Sequence, residues 1–134
     1  MDIALCMLQN EDLYFAAAQR PLILLRNREI IEIKGDKNPI GSGAYKNKTF
    51  TSHHLPLQPG DNIYLFSDGI TDQFDADNNR RYGSKRLKAF LLDLQQLPIG
   101  EQKKKTEEEL RNWKGDTPQT DDMLMIGLQV GGHD

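Results

Sequence analysis

The apolar residues of this chain follow a short, strand-like period as far as Gly69 and a helical one after Ser84, and that switch restricts the chain to few architectures. Ile3, Leu5 and Met7 share one face at period 2, and Ala4, Cys6 and Leu8 share the other. That pattern predicts a strand buried on both sides. Asn10-Glu11-Asp12 supplies turn chemistry, and Leu13 to Ala18 reads as the second strand of a hairpin. Beyond Pro21, Leu22 to Leu25 predicts a third strand, which turns at Asn27-Arg28 into Glu29 to Lys34. Gly35 to Pro39 and Gly41 to Gly43 read as loop. Thr49 to Ser52 reads as a strand ending at His53-His54-Leu55-Pro56, and Pro59-Gly60 turns into a strand over Asn62 to Phe66. Ser67-Asp68-Gly69 ends that strand abruptly.

Leu87, Phe90, Leu91 and Leu94 stand at i, i+3, i+4 and i+7, one face of an amphipathic helix that stops at Pro98-Ile99-Gly100. Glu101 to Trp113 predicts a second, solvated helix anchored by Leu110 and Trp113. Gly115 to Thr120 is a polar loop, and Asp121-Asp122 lead into a final apolar strand, Met123 to Val130. Strands, then two helices, then a strand predict an α+β fold of mainly antiparallel sheets with flanking helices.

A length of 134 residues suits one domain or part of a larger one. With 17 Lys+Arg against 20 Asp+Glu, the net charge of −3 argues against nucleic acid as a partner, because neutralising phosphates needs a basic surface. No window approaches the roughly 18–20 apolar residues of a membrane span. Met1 to Asn10 has no basic region of the secretory kind. The single cysteine, Cys6, excludes an internal disulfide framework and suits a reducing compartment, so the expected location is the cytoplasm.

Most of the chemistry-bearing residue types read as structural. His53 and His54 are adjacent, so on a strand they point to opposite faces and do not share a metal. His133 lies in the Gly-rich tail. Cys6 reads as a small buried hydrophobe. Gly41-Ser42-Gly43 lacks the Lys-Ser/Thr and the strand-to-helix context of a phosphate loop. The carboxylates are more informative. Asp68 stands where an apolar strand breaks at a glycine, Asp72 follows four residues on, and Asp121 and Asp122 open another apolar strand. Short carboxylates on strand ends suit a hard cation. The residues alone leave that reading open beside a plainer one, in which Asp68 forms a turn and Asp121-Asp122 cap a loop.

Leu57 to Asp72, with its Pro-Gly-Asp turn, apolar strand and Ser-Asp-Gly, resembles the hallmark segment of the SpoIIE-like serine/threonine phosphatases. These are the bacterial branch of the type 2C metal-dependent protein phosphatases. Tyr14 to Leu22 is similar to the family's alanine-rich strand before a proline, and Pro39-Ile40-Gly41 to its Pro-Leu/Ile-Gly turn. Tyr82 to Leu87 is similar to its Phe/Tyr-Gly helix start, and Thr120 to Ile126 to its terminal Asp-Asp strand. The resemblance implies part of an αββα phosphatase sandwich with Mn²⁺ or Mg²⁺ ions clustered at one end. Those ions activate water for direct attack on phosphoserine or phosphothreonine. By the same resemblance Asp68 and Asp121 are metal ligands, Asp72 falls where some relatives hold a weaker ion, and Asp122 lies just behind the ligands. The implied substrate is a phosphoprotein regulator such as an anti-sigma-factor antagonist.

Family members also carry an earlier Asp-Gly-His/Met-Gly segment, whose aspartate bridges the two central metals, and an acidic residue further upstream. This sequence contains neither, and Met1 to Asn10 already matches a strand beyond that segment. Residues 1–134 are therefore expected to be the C-terminal portion of a phosphatase domain that binds its ions weakly and turns over little or no substrate alone. An apolar face or unpaired edge is expected near the N-terminus, and with it a homodimer. The competing readings are a noncatalytic phosphatase-like module that binds a signalling protein, and a plain structural sandwich.

Overall fold

The computed structural model describes residues 3–37 and 51–131. The chain divides into two compact units, residues 1–65 with 128–134, and residues 66–127. Its elements run β1 (Ile3–Gln9), β2 (Asp12–Ala18), β3 (Leu22–Arg26), β4 (Glu29–Ile33), β5 (His53–Pro56), β6 (Asn62–Phe66), α1 (Asp68–Thr71), α2 (Gly83–Leu94), α3 (Ile99–Lys114) and β7 (Met125–Gln129). One sheet has the order β1-β2-β5 and the other β4-β3-β6-β7. The registered pairs β1–β2, β2–β5, β3–β4 and β3–β6 are all antiparallel. The α+β class is the expected one. No helix among the described residues is long and apolar enough to cross a membrane.

In the first unit the core forms between the inner faces of the two sheets. Leu13, Phe15 and Ala17 of β2, with Ala4 and Cys6 of β1 and Leu55 of β5, supply one side. Leu22 and Leu24 of β3, Ile31 and Ile33 of β4 and Ile63 and Leu65 of β6 supply the other. The alternation Leu13, Phe15, Ala17 puts every second β2 residue inside, as a half-buried strand requires. The β3–β4 hairpin turns on Asn27 and Arg28, both at positive φ (52° and 65°), with Arg26 opposite Glu29. Two left-handed residues match the turn's twist to that of the flanking strands. At the far end of β6, the buried Asp61 takes a bidentate pair from Arg26 (Nε–Oδ1 3.0 Å, Nη2–Oδ2 2.8 Å) and accepts the Gln58 N–H.

In the second unit Ile70, Leu87, Leu91 and Leu94 are fully buried. Three of the four come from the helix that the i, i+3, i+4, i+7 spacing predicts.

Two expectations need correction. The first strand is not buried on both sides: Ala4 and Cys6 face the core, but Ile3, Leu5, Met7 and Leu8 are 44–68% exposed. The period-2 pattern is real, but β1 is an edge strand whose outer face remains in solvent. Next, the described strand here is His53–Pro56, the segment expected only to end a strand. Register against β2 decides this, pairing Phe15 with His53 and Leu13 with Leu55 so that Leu55 reaches the core. Thr51 and Ser52 are outside any strand. The loop expected from Gly35 is present at its start, where Asp36 donates its N–H to Ala17 O and accepts from Gln19. The Pro39-Ile40-Gly41 turn, the Gly41-Ser42-Gly43 connector, Thr49-Phe50 and His133 lie outside the described residues.

Candidate metal centre

The apolar run of β6 ends at Ser67, and the chain bends at once into α1, a single helical turn over Asp68–Thr71. Asp72 N–H donates to Asp68 O (2.8 Å), and Thr71 Oγ1 lies 3.3 Å from the same carbonyl. Asp68 thus stands at a strand-to-helix corner, half-buried, with Gly69 and Ile70 buried behind it.

The segment that leads into β7 meets this corner. Ser67 N–H donates to Leu124 O (2.9 Å), Ser67 Oγ donates to Asp122 O (2.8 Å), and Leu124 N–H donates to Ser67 Oγ (2.9 Å). On the other side of Asp68 the approach is closer still. A Cβ built on Gly69 would stand 2.0 Å from Asp122 O and 3.1 Å from Asp121 O. Only a residue without a side chain lets the two backbones come this near. Asp68 is therefore flanked, one residue before and one after, by contacts to the Asp122 carbonyl. The structure brings the Asp68 and Asp121-Asp122 segments together, although more than fifty residues separate them in the chain.

Asp121 and Asp122 are exposed. Asp121 Oδ1 accepts the Asp122 N–H (2.7 Å), and Gln119 Nε2 donates to Asp121 O (2.8 Å). The loop before them is tied down from inside. Buried Gln73 donates through Nε2 to Pro118 O (3.2 Å), and Thr117 Oγ1 donates to Asp75 O (2.6 Å). Gln73 O in turn accepts Trp113 Nε1 (2.9 Å) and Tyr82 N–H (2.8 Å). Tyr82 meets Trp113 edge-on and donates its hydroxyl to Glu109, while Arg86 lies 4.3 Å over the Trp113 ring. Burial, and then the Glu109 carboxylate, push the Tyr82 hydroxyl well above its ordinary pKa. Asp75 caps its own turn, and the Asn79 N–H, followed by those of Arg80 and Asp77, holds its carboxyl below the usual range.

Asp72 is exposed and one turn beyond Asp68, with Arg81 Nη1 3.9 Å from its Oδ1. A guanidinium therefore already shares the position expected to hold a weaker ion. His53 and His54 both pack against aromatic rings. His54 stacks on Tyr14 (centroids 4.7 Å apart) and bonds Asp12, whereas His53 tilts against Phe15. Cys6 is half-buried, and desolvation raises its thiol pKa, which suits an inert packing residue.

Carboxylates and main-chain carbonyls are the hard oxygen donors that Mg²⁺ and Mn²⁺ prefer. Such ions keep several waters and need only one or two carboxylates. Among the described residues no cluster of three or more His, Cys, Asp or Glu side chains has metal-site geometry. Ser67, Gly69, Gln73 and Thr117 escape a reading of spacing alone. The glycine directly after a strand-end aspartate is the one visible hint.

Residues 1–131 match the family model described as Stage II sporulation protein E. Among solved structures, the chain resembles the SiaA-PP2C domain of Pseudomonas aeruginosa, with TM-score 0.80 and 29% identity over 89% of this chain and 46% of that one. It resembles the SpoIIE phosphatase domain of Bacillus subtilis, presoaked with Mn, with TM-score 0.71 and 16% identity over 100% of this chain and 57% of that one. It also resembles the catalytic domain of the serine/threonine protein phosphatase PstP in complex with 2 manganese ions, with TM-score 0.60 and 16% identity over 93% and 56% of the two chains. The chain thus spans about half the length of these solved relatives. No curated protein matches it. With the family model matching all but its last few residues, the chain belongs to the SpoIIE family of PP2C-type phosphatase domains.

Proposed function

We propose that this chain is the portion of a metal-dependent serine/threonine phosphatase domain that carries Asp68 and Asp121 as ligands of a Mn²⁺ or Mg²⁺ ion. One observation carries the reading: Asp122 O lies against both neighbours of Asp68, within hydrogen-bond reach of Ser67 Oγ and in the space a Gly69 side chain would fill. The Asp-Asp segment and the Asp-Gly corner thus form one place. The likeness to PstP, solved in complex with 2 manganese ions, supports a divalent ion in this reading. In this reading Asp122 lies behind the ligands, its N–H fixing the Asp121 carboxylate through Oδ1. Asp72 holds a further ion weakly, because Arg81 competes for it.

A bound divalent ion supplies a Lewis acid that lowers the pKa of water and stabilises charge on a phosphoryl oxygen. The chain's own contribution is to bring the Asp68 corner and the Asp121-Asp122 segment together, with Gln73 and Thr117 tying down the incoming loop. The substrate class we propose is a phosphoserine or phosphothreonine of a bacterial signalling regulator, such as an anti-sigma-factor antagonist. Residues 1–134 supply few of the ligands that such a centre uses, so we propose weak ion binding and no appreciable turnover for them alone.

A Mn²⁺ titration followed by water-proton relaxation tests the reading. The expected result is saturable enhancement that Asp68→Ala and Asp121→Ala each abolish. No enhancement with the unmodified chain would favour a noncatalytic, phosphatase-like binding module. Hydrolysis of para-nitrophenyl phosphate by these residues, lost in Asp68→Ala, would overturn the proposed inactivity.

A further inference from the structure

We propose that Ser67 is a positioning residue of this site, its hydroxyl setting the separation of Asp68 and Asp121 by clamping residues 122–124. The inference rests on the metal-holding reading above. Two kinds of bond join Ser67 to that segment. The main-chain bond, Ser67 N–H to Leu124 O, would form with almost any residue at position 67. The hydroxyl bonds would not, since Oγ donates to Asp122 O and accepts from Leu124 N–H, using a donor and a lone pair of one hydroxyl at once.

This double use matters because residues 121–124 precede the regular part of β7. Through its hydroxyl, Ser67 holds both the Asp122 carbonyl and the Leu124 amide against the corner. On the far side of Asp68, Gly69 allows contact with the same Asp122 carbonyl but supplies no attraction to hold it. Ser67 is thus the attractive half of the junction and Gly69 the permissive half. Asp121 is one peptide from the clamped carbonyl, so its reach towards Asp68 depends on the clamp. Groups that orient metal ligands in this indirect way typically alter affinity by about 10–100-fold.

The test compares Mn²⁺ affinity, by water-proton relaxation, across the unmodified chain, Ser67→Ala, Ser67→Thr and Asp61→Ala, with amide exchange at Leu124 as a second readout. Asp61→Ala breaks the buried pair with Arg26 away from this corner, so it lowers stability without touching the clamp. The expected result is at least roughly a ten-fold loss of affinity and faster Leu124 exchange in Ser67→Ala. Ser67→Thr, which keeps the hydroxyl, should restore both, and Asp61→Ala should bind Mn²⁺ as the unmodified chain does. Should Ser67→Ala not fold, Ser67→Cys, with its weaker donor, takes its place and should give intermediate values. Affinity within about two-fold of the unmodified chain in Ser67→Ala overturns the inference alone. Equal losses in Ser67→Ala and Asp61→Ala also overturn it alone, since they would reflect general loosening. Absence of Mn²⁺ binding by the unmodified chain overturns the metal reading and this inference with it.

Discussion

Replacing Gly69 with alanine is the sharpest probe of the junction. The new Cβ would lie 2.0 Å from Asp122 O and 2.6 Å from Asp122 C, where real Cβ contacts essentially never fall below 3.0 Å. The obstructing atoms are backbone, so relief requires about 1 Å of movement by either the Asp68 corner or the Asp121–Asp122 segment. Movement of that size breaks the two Ser67 hydroxyl bonds and weakens the Ser67 N–H to Leu124 O bond, all now at 2.8–2.9 Å. At roughly 1 kcal/mol per bond, with some residual strain, the expected cost is about 2–4 kcal/mol. That is a large share of the roughly 5–15 kcal/mol that a domain has in total. Urea unfolding followed by circular dichroism measures it. Gly100→Ala is the control: nothing lies within 4 Å of its Cβ, near the start of α3. There the helix propensity of alanine should leave stability unchanged or up to about 1 kcal/mol higher. A Gly69→Ala cost below about 0.5 kcal/mol, with the Leu124 amide shift unmoved, would refute the close approach on which the site depends.

Two further outcomes concern other parts of the molecule. Because the folded Tyr82 hydroxyl titrates above its ordinary value, its neutral form favours the fold at all pH values below the unfolded phenol value of about 10. Stability should decline as pH rises through and beyond that value, and Tyr82→Phe should flatten the decline in melting temperature. Parallel curves for the two proteins above pH 10 would contradict the assignment. The outer face of β1, where Leu5 is 68% and Met7 53% exposed, should drive dimerisation. Light scattering at high concentration should show a dimer that Leu5→Lys converts to monomer, and a monomeric unmodified chain counts against it.

Much of the fold was legible because its determinants are local. The β1–β2 hairpin, the apolar β3 and β6 and the α2 face all announce themselves within windows of ten residues or so. β5 starts only at His53, beyond Thr51 and Ser52, because register pairs Leu55 with Leu13 and takes it to the core. α1 has four residues, too few for any period to show, so the corner at Asp68 read as a bare strand end. The exposure of Leu5 depends on whether a neighbouring layer covers it, which alternation does not encode. At the site, Asp68 and Asp121 could be picked out as residue types at strand ends. Their segments come together through Ser67 and a missing Cβ at Gly69, of which the glycine alone is hinted at by its place after a strand-end aspartate.

The Ser67–Leu124 junction also has a temporal side. Its two halves are 57 residues apart in the chain, whereas the β1–β2 and β3–β4 hairpins close over two-residue loops. At roughly 5–20 residues per second, a ribosome needs about 3–11 s after making Ser67 to reach its hydroxyl's partner. During that interval the hairpins can form while the newborn corner waits, so closure of this junction belongs to the last moments of folding.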